Sequence, residues 1–313
     1  MPDTLPLAPI RPITRARAAI RPAVAPIVAE PIEEAPVSSK NRERFKLRGL
    51  SASGGMGAVY RALDRHTGRL VAIKVLRGYS EEHAFRFARE ASVLASLRHR
   101  GIVRYVQHGK LASGDRYLAM EWLEGETLAS RLRRGPLSVD ETLLLGSRIA
   151  DALAVTHEHG VIHRDLKPAN LFLEHRSVGR VKILDFGLAR ARGGELELTA
   201  PGAMLGTPGY MSPEQLRGER IMNASSDIFA LGCVLFKCLT GRSVFADSDG
   251  IDALFRVLYE EAPRVSSLCL GVPPALDDLI ARMLAKSPSD RPEDASAVWA
   301  ALSAIGAERW KTS

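Results

Sequence analysis

Cysteine is scarce in this chain. Cys233, Cys238 and Cys269 are the only three in 313 residues, and their spacing matches no metal-ligand pattern. The first two fall inside the apolar run Ile228 to Leu239, where they read as small core residues. No cysteine-built metal site follows from them, and a reducing cytoplasm is the expected compartment. Long apolar runs are lacking too. The longest uncharged one, Ile228 to Phe236, falls far short of the roughly 20 residues that a membrane-spanning helix needs. The N-terminus has no charged segment followed by an apolar one, so neither a secretory leader nor a membrane span is expected. A nucleic-acid-binding signature is also missing. The net charge of +7 is spread along the chain, which gives no basis for a nucleic-acid partner but suits a protein that holds a polyanionic small molecule.

What is there is organised in three textures. Eight of the eighteen prolines lie in the first 40 residues, interleaved with Ala, Arg and Ile, and no helix or strand period survives that spacing. Residues 1–43 are therefore expected to be a disordered Pro/Ala/Arg-rich arm. The plainer reading is a solvated tail; the alternative, a docking segment, rests on Arg11, Arg15, Arg17 and Arg21. From Phe45 the pattern becomes strand-like over Phe45 to Leu50, Ala58 to Asp64, Arg69 to Leu76, Ile102 to His108 and Tyr117 to Trp122. One helix, about Glu81 to Leu97, interrupts them, with Ser80 as N-cap and Glu81 and Glu82 in its first turn.

After Gly135 the texture turns helical. Ser138 and Glu141 form a capping box ahead of a long helix that ends at Gly160, and further helices are expected at Ser226 to Thr240, Pro274 to Leu284 and Asp294 to Ile305. The fold class is α+β: a small antiparallel β-rich N-lobe with one helix (44–123), a larger, mostly α-helical C-lobe (124–305), and a short tail (306–313). A junction between two such lobes is a favoured ligand site.

The chemistry concentrates in two ordered segments. His163-Arg164-Asp165-Leu166-Lys167-Pro168-Ala169-Asn170 is followed by Asp185-Phe186-Gly187. Together they supply a candidate base, a phosphate-binding Lys and two oxygen ligands for divalent cations, the parts that phosphoryl transfer to a hydroxyl requires. Upstream, Ala52-Ser53-Gly54-Gly55-Met56-Gly57-Ala58-Val59 sits between two strands, where a Gly-rich turn lets backbone N–H groups approach phosphate oxygens. Taken alone it is more often just a turn. Lys74 lies in the otherwise apolar strand Val71-Ala72-Ile73-Lys74, and Glu90 lies on the apolar stripe of the interrupting helix. Each charge is costly to bury alone, so the two are expected to pair; in the plain alternative both side chains reach out to water.

In this order, the Gly-rich loop, Val-Ala-Ile-Lys, helix Glu, His-Arg-Asp-Leu-Lys-Pro-Ala-Asn, Asp-Phe-Gly and Ser-Pro-Glu resemble the eukaryotic-type protein kinase family over about residues 44 to 305. The loop and the stretch Gly-Thr-Pro-Gly-Tyr-Met-Ser-Pro-Glu-Gln are most similar to bacterial Ser/Thr protein kinases, and Lys167 resembles the Ser/Thr branch. The resemblance implies a two-lobed protein-kinase-like fold that transfers the γ-phosphoryl group of ATP, with Mg²⁺, to Ser/Thr hydroxyls of protein substrates. By it, Asp165 is the base, Lys167 neutralises the transferred group, Lys74 and Glu90 position the phosphates, and Asn170 and Asp185 hold Mg²⁺. Ala52, Ser53, Gly54, Gly55, Met56 and Gly57 roof the nucleotide. Val59 and Ala72 lie above adenine and Phe172 below, Glu121 and Leu123 offer backbone hydrogen bonds, and Met120 is the gatekeeper.

The same resemblance implies that Arg164 receives a phosphate on the activation segment. Thr199 is the only Ser, Thr or Tyr between Gly187 and Gly206, which makes it the expected acceptor, unless Glu195 and Glu197 already provide the charge. A transient homodimer would serve that autophosphorylation. Thr207 corresponds to the residue bridging Asp165 and Lys167, Glu214 and Arg291 to a buried ion pair, and Asp227 to the residue that braces the catalytic loop. Ala52 stands where the family has its first loop glycine, so altered nucleotide affinity is expected. Many bacterial relatives continue into a membrane span and sensor; this chain stops at Ser313, and sensing is expected from the arm, a partner or upstream phosphorylation. Two rival readings are a pseudokinase scaffold without turnover and a small-molecule phosphotransferase with a kinase-like fold.

Overall fold

A computed structural model describes residues 44–54, 57–76, 91–92, 94–111, 113–186, 208–219, 223–245 and 251–312, all within one unit, Pro36–Ser313. Glu90, Gly55, Met56, Thr199 and Thr207, together with the arm, lie outside the described residues.

The first element is a five-stranded antiparallel sheet in the order β1-β2-β3-β5-β4. Its strands are β1 (Phe45–Gly54), β2 (Gly57–Asp64), β3 (Arg69–Leu76), β4 (Tyr105–Lys110) and β5 (Arg116–Glu121). The period of two along Val71-Ala72-Ile73-Lys74-Val75 decides what each face carries. Val71, Ile73 and Val75 bury with Phe45, Ala62, Leu111, Tyr117 and Ala119 in a small core. Lys74 and Ala72 project from the opposite face, in register with Val59, Leu118 and Met120. The expected strand at Ile102 to His108 begins later, at Tyr105; Ile102 makes only an isolated parallel bridge to Ile183. Of the expected helix ending at Leu97, residues 91, 92 and 94–96 are described and helical.

A second, three-stranded sheet was not legible in the sequence: β6 (Gly125–Thr127), β7 (Leu171–Glu174) and β8 (Val181–Ile183), in that order. The described α-helices are α1 (Leu128–Leu132), α2 (Val139–Glu158), α3 (Pro213–Leu216), α4 (Ala224–Thr240), α5 (Ile251–Tyr259), α6 (Pro274–Met283) and α7 (Ala295–Thr312). The capping box at Ser138 and Glu141 is formed in both directions. Helix α4 is buried nearly all round, which explains its uncharged run and the full burial of Cys233 and Cys238. It ends at Gly241, whose φ of 73° suits a residue without Cβ. Gly146 on α2 has a different reason: a Cβ there would meet Leu235 Cδ2 at 2.9 Å and Leu302 Cδ1 at 3.0 Å, so the glycine lets α2 approach α4 and α7.

Helix α7 runs past the expected end at Ile305. The helix runs to Thr312, and Arg309 Nε reaches Asp140 Oδ1 at 2.8 Å on α2. The apolar period fades there, and the exposed Arg309–Asp140 contact links these last turns to α2. No described helix is long and apolar enough to cross a membrane.

Candidate active site

The β7–β8 hairpin places the metal-ligand candidates. Leu171 pairs with Ile183, and one step further the Leu184 N–H donates to the Asn170 carbonyl at 2.8 Å. Asn170 and Asp185 therefore sit at the same end of one hairpin. Asp185 adopts φ 44°, a left-handed conformation costly for a residue with a side chain and typical of functional turns. Its Oδ2 lies 2.8 Å from Lys74 Nζ on β3, so the lysine of the first sheet and the aspartate after the second meet.

On the other side of Asn170 is the candidate base. Asn170 Nδ2 donates to the Asp165 carbonyl at 2.8 Å and to Asp165 Oδ2 at 3.1 Å, while Lys167 Nζ sits 2.8 Å from the same Oδ2. With its nitrogen committed, Asn170 would ligate a cation through its carbonyl oxygen. That oxygen and the Asp185 carboxylate form a hard donor set that fits Mg²⁺.

Beneath the loop, buried Asp227 accepts from the His163 N–H at 2.7 Å and the Arg164 N–H at 2.9 Å, and pairs with His157 Nε2 at 2.8 Å. Burial pushes the Asp227 carboxyl up, but the His157 bond and charge and the loop N–H outweigh it and hold it below the usual range. His163 Nε2 meets the Leu184 carbonyl at 2.8 Å, and its ring lies 4.8 Å from that of Phe186. Tyr105 is buried next to this segment; burial first, and the charge of Asp185 second, push its phenol well above the ordinary range.

The nucleotide candidates line the same region. Val59, Ala72 and Met120 share one sheet face with Lys74, Phe172 is half-buried on β7, and Glu121 and Leu123 follow Met120 toward β6. The Glu121 carboxylate accepts from Lys182 Nζ at 2.6 Å and from the Arg104 N–H at 3.0 Å. Neither partner was expected from the sequence. Ala52 and Ser53 are exposed on β1, with Ala52 opposite Val59, and Gly54 pairs with Gly57 at the hairpin end.

Residues 50–301 match the protein kinase domain family. The chain belongs to the protein kinase family. It is 36% identical over 283 residues to the serine/threonine-protein kinase PknL of Mycobacterium tuberculosis, covering 89% of this chain and 69% of PknL. It is 36% identical to the serine/threonine-protein kinase pkn3 of Myxococcus xanthus, covering 85% of this chain and 50% of that protein. To the probable serine/threonine-protein kinase PknB of Lactococcus lactis it is 37% identical, covering 80% of this chain and 40% of PknB. The chain thus spans between 35% and 69% of the length of such relatives. For a kinase-family chain the described geometry brings together Lys74, Asp165, Lys167, Asn170 and Asp185.

The supporting residues are built in. Arg291 Nη1 and Nη2 donate to the Glu214 carboxylate at 2.7 and 2.9 Å, with both side chains buried. The guanidinium also donates to the Ala285, Ser225 and Lys286 carbonyls. His157 and Lys182 escaped sequence reasoning because each acts through a contact between residues more than 60 positions apart.

Proposed function

We propose that this chain is an ATP-dependent protein Ser/Thr kinase, with its catalytic unit over residues 44–305 and the lobes meeting after residue 123. The observation that carries the reading is the linked set Lys74–Asp185 and Lys167–Asp165–Asn170, with contacts of 2.8 to 3.1 Å. Asp165 accepts the proton of the incoming hydroxyl and holds its oxygen in line. Lys167 offsets charge developing on the transferred group, and Lys74 binds the phosphates. Asn170 and Asp185 would hold Mg²⁺, which supplies charge neutralisation at the phosphates when bound. Val59, Ala72 and Phe172 sandwich adenine, Met120 borders it, and Glu121 and Leu123 hydrogen-bond it through their backbones. Ala52 to Gly57 cover the phosphates, and Glu90 steadies Lys74.

The substrates are proteins, and the enzyme works in the cytoplasm without nucleic-acid partners. Thr199 is an autophosphorylation site that pairs with Arg164, reached through a transient homodimer, and Thr207 shapes the floor beneath the acceptor residue. Phosphosite mapping after incubation with Mg·ATP tests both levels. Phosphoserine and phosphothreonine that vanish in Asp165→Asn support the kinase, and full activity in Thr199→Ala removes the regulatory part.

A further inference from the structure

Gln215, on α3, faces two ways. Its Oε1 accepts from the Ser212 N–H at 2.9 Å and from Ser212 Oγ at 3.2 Å, closing the helix's capping box. Its Nε2 donates to the carbonyl oxygen of Arg164 at 3.0 Å, 51 residues away in sequence. A capping box needs only an acceptor at this position, and a Glu would serve. The amide nitrogen is needed only for Arg164.

Arg164 is an unusual residue to hold. Its φ is 63°, a left-handed conformation that a side chain disfavours and that persists only when its surroundings over-determine it. Its N–H is fixed from below by Asp227 Oδ1 at 2.9 Å, and its carbonyl from the other side by Gln215. The next residue is Asp165, whose own N–H bonds back to His163 Nδ1 at 3.2 Å. The strained turn that aims Asp165 is therefore gripped at both backbone polar groups of Arg164.

We propose that Gln215 is a positioning residue for phosphoryl transfer: by holding the Arg164 carbonyl it fixes the turn that aims Asp165, and ties that aim to the segment Ser212–Leu216 at the end of the activation segment. The proposal rests on the kinase reading above. It also accounts for the residue type, because glutamine offers the acceptor for Ser212 and the donor for Arg164 on one side chain.

Gln215→Glu separates the two tasks, since the carboxylate still caps α3 but can only repel the Arg164 carbonyl. In the purified 313-residue chain, kcat should fall about tenfold, the size expected for one hydrogen bond beside the reacting groups. KM for ATP should stay within about twofold, because no nucleotide contact changes. The melting midpoint should stay near wild type. Gln215→Met, which removes donor and acceptor, should show the same loss of kcat with a lower midpoint, and it decides the matter if Gln215→Glu does not fold. Wild-type kcat in these variants overturns the proposal. So does a loss of kcat that merely tracks unfolding and a raised KM for ATP, which marks a structural role only. A wild-type chain that transfers no phosphate overturns the kinase reading itself, a result separable from either.

Discussion

Lys74 Nζ and Asp185 Oδ2 lie 2.8 Å apart, joining a lysine of the five-stranded sheet to an aspartate that follows the three-stranded one. On the proposed reading, these two charges serve the place where phosphates and a divalent cation would gather. Lys74→Met should cut the transfer rate by about 100-fold or more, the cost of removing one preorganised donor, while far-UV circular dichroism stays that of wild type. Initial rates at saturating ATP check this; a rate within threefold of wild type would remove Lys74 from the chemistry.

Arg291 is a stability residue. Its side chain is buried on Glu214 and on the carbonyls of Ala285, Ser225 and Lys286. Arg291→Ala strands a buried carboxylate and should cost about 3 to 5 kcal/mol, read as a lowered urea midpoint. An unchanged midpoint would mean that the pair contributes nothing.

Acid should unfold the protein through its buried carboxylates. Burial raises the Glu214 pKa, but the hydrogen bonds and charge of Arg291 more than reverse this, and Asp227 is held low in the same way by His157 and the loop N–H groups. A carboxylate with a depressed folded pKa contributes stability that is complete above its ordinary value, here 4.5 for Glu214 and 3.8 for Asp227. That stability is lost as pH falls through the folded value. Urea denaturation should show a shallow loss below about pH 6.5, where burial and the Arg116 charge oppose protonation of His108, and a steep decline below about 4 from the two carboxylates. A curve still level at pH 3 would contradict the assignment.

Two thiols should be silent. Burial pushes Cys233 and Cys238 up to about 12, so neither carries appreciable thiolate at neutral pH. A thiol reagent at pH 7.5 should label at most Cys269 in the folded protein and all three after denaturation. Rapid labelling of a second thiol in the folded state would contradict their burial.

The five-stranded sheet was legible because its strands alternate: Val71, Ile73 and Val75 against Ala72 and Lys74 leave no doubt about which face is buried. The capping box at Ser138 and the apolar run of α4 were equally plain. The second sheet was hidden because strands of three residues, such as Gly125–Thr127 and Val181–Ile183, are too short to express a period. Helix α7 runs past its apolar pattern into turns where Arg309 meets Asp140. At the candidate site, local motifs pick out Asp165, Lys167, Asn170 and Asp185, and the fold brings these four together. The contacts of Lys182, His157 and Gln215 were not legible, since each depends on a partner far along the chain. Gln215 had one local signal, its place three residues after Ser212, and that signal reports only the cap.

The most direct test of the account is γ-phosphoryl transfer from Mg·ATP to a protein substrate by the wild-type chain and by Asp165→Asn, with nucleotide affinity measured in parallel. The account predicts phosphoserine or phosphothreonine from wild type, a loss of about 100-fold or more in Asp165→Asn, and similar ATP binding by both. Binding of Mg·ATP by a wild-type chain that never transfers phosphate, or equal transfer by the two proteins, would contradict it.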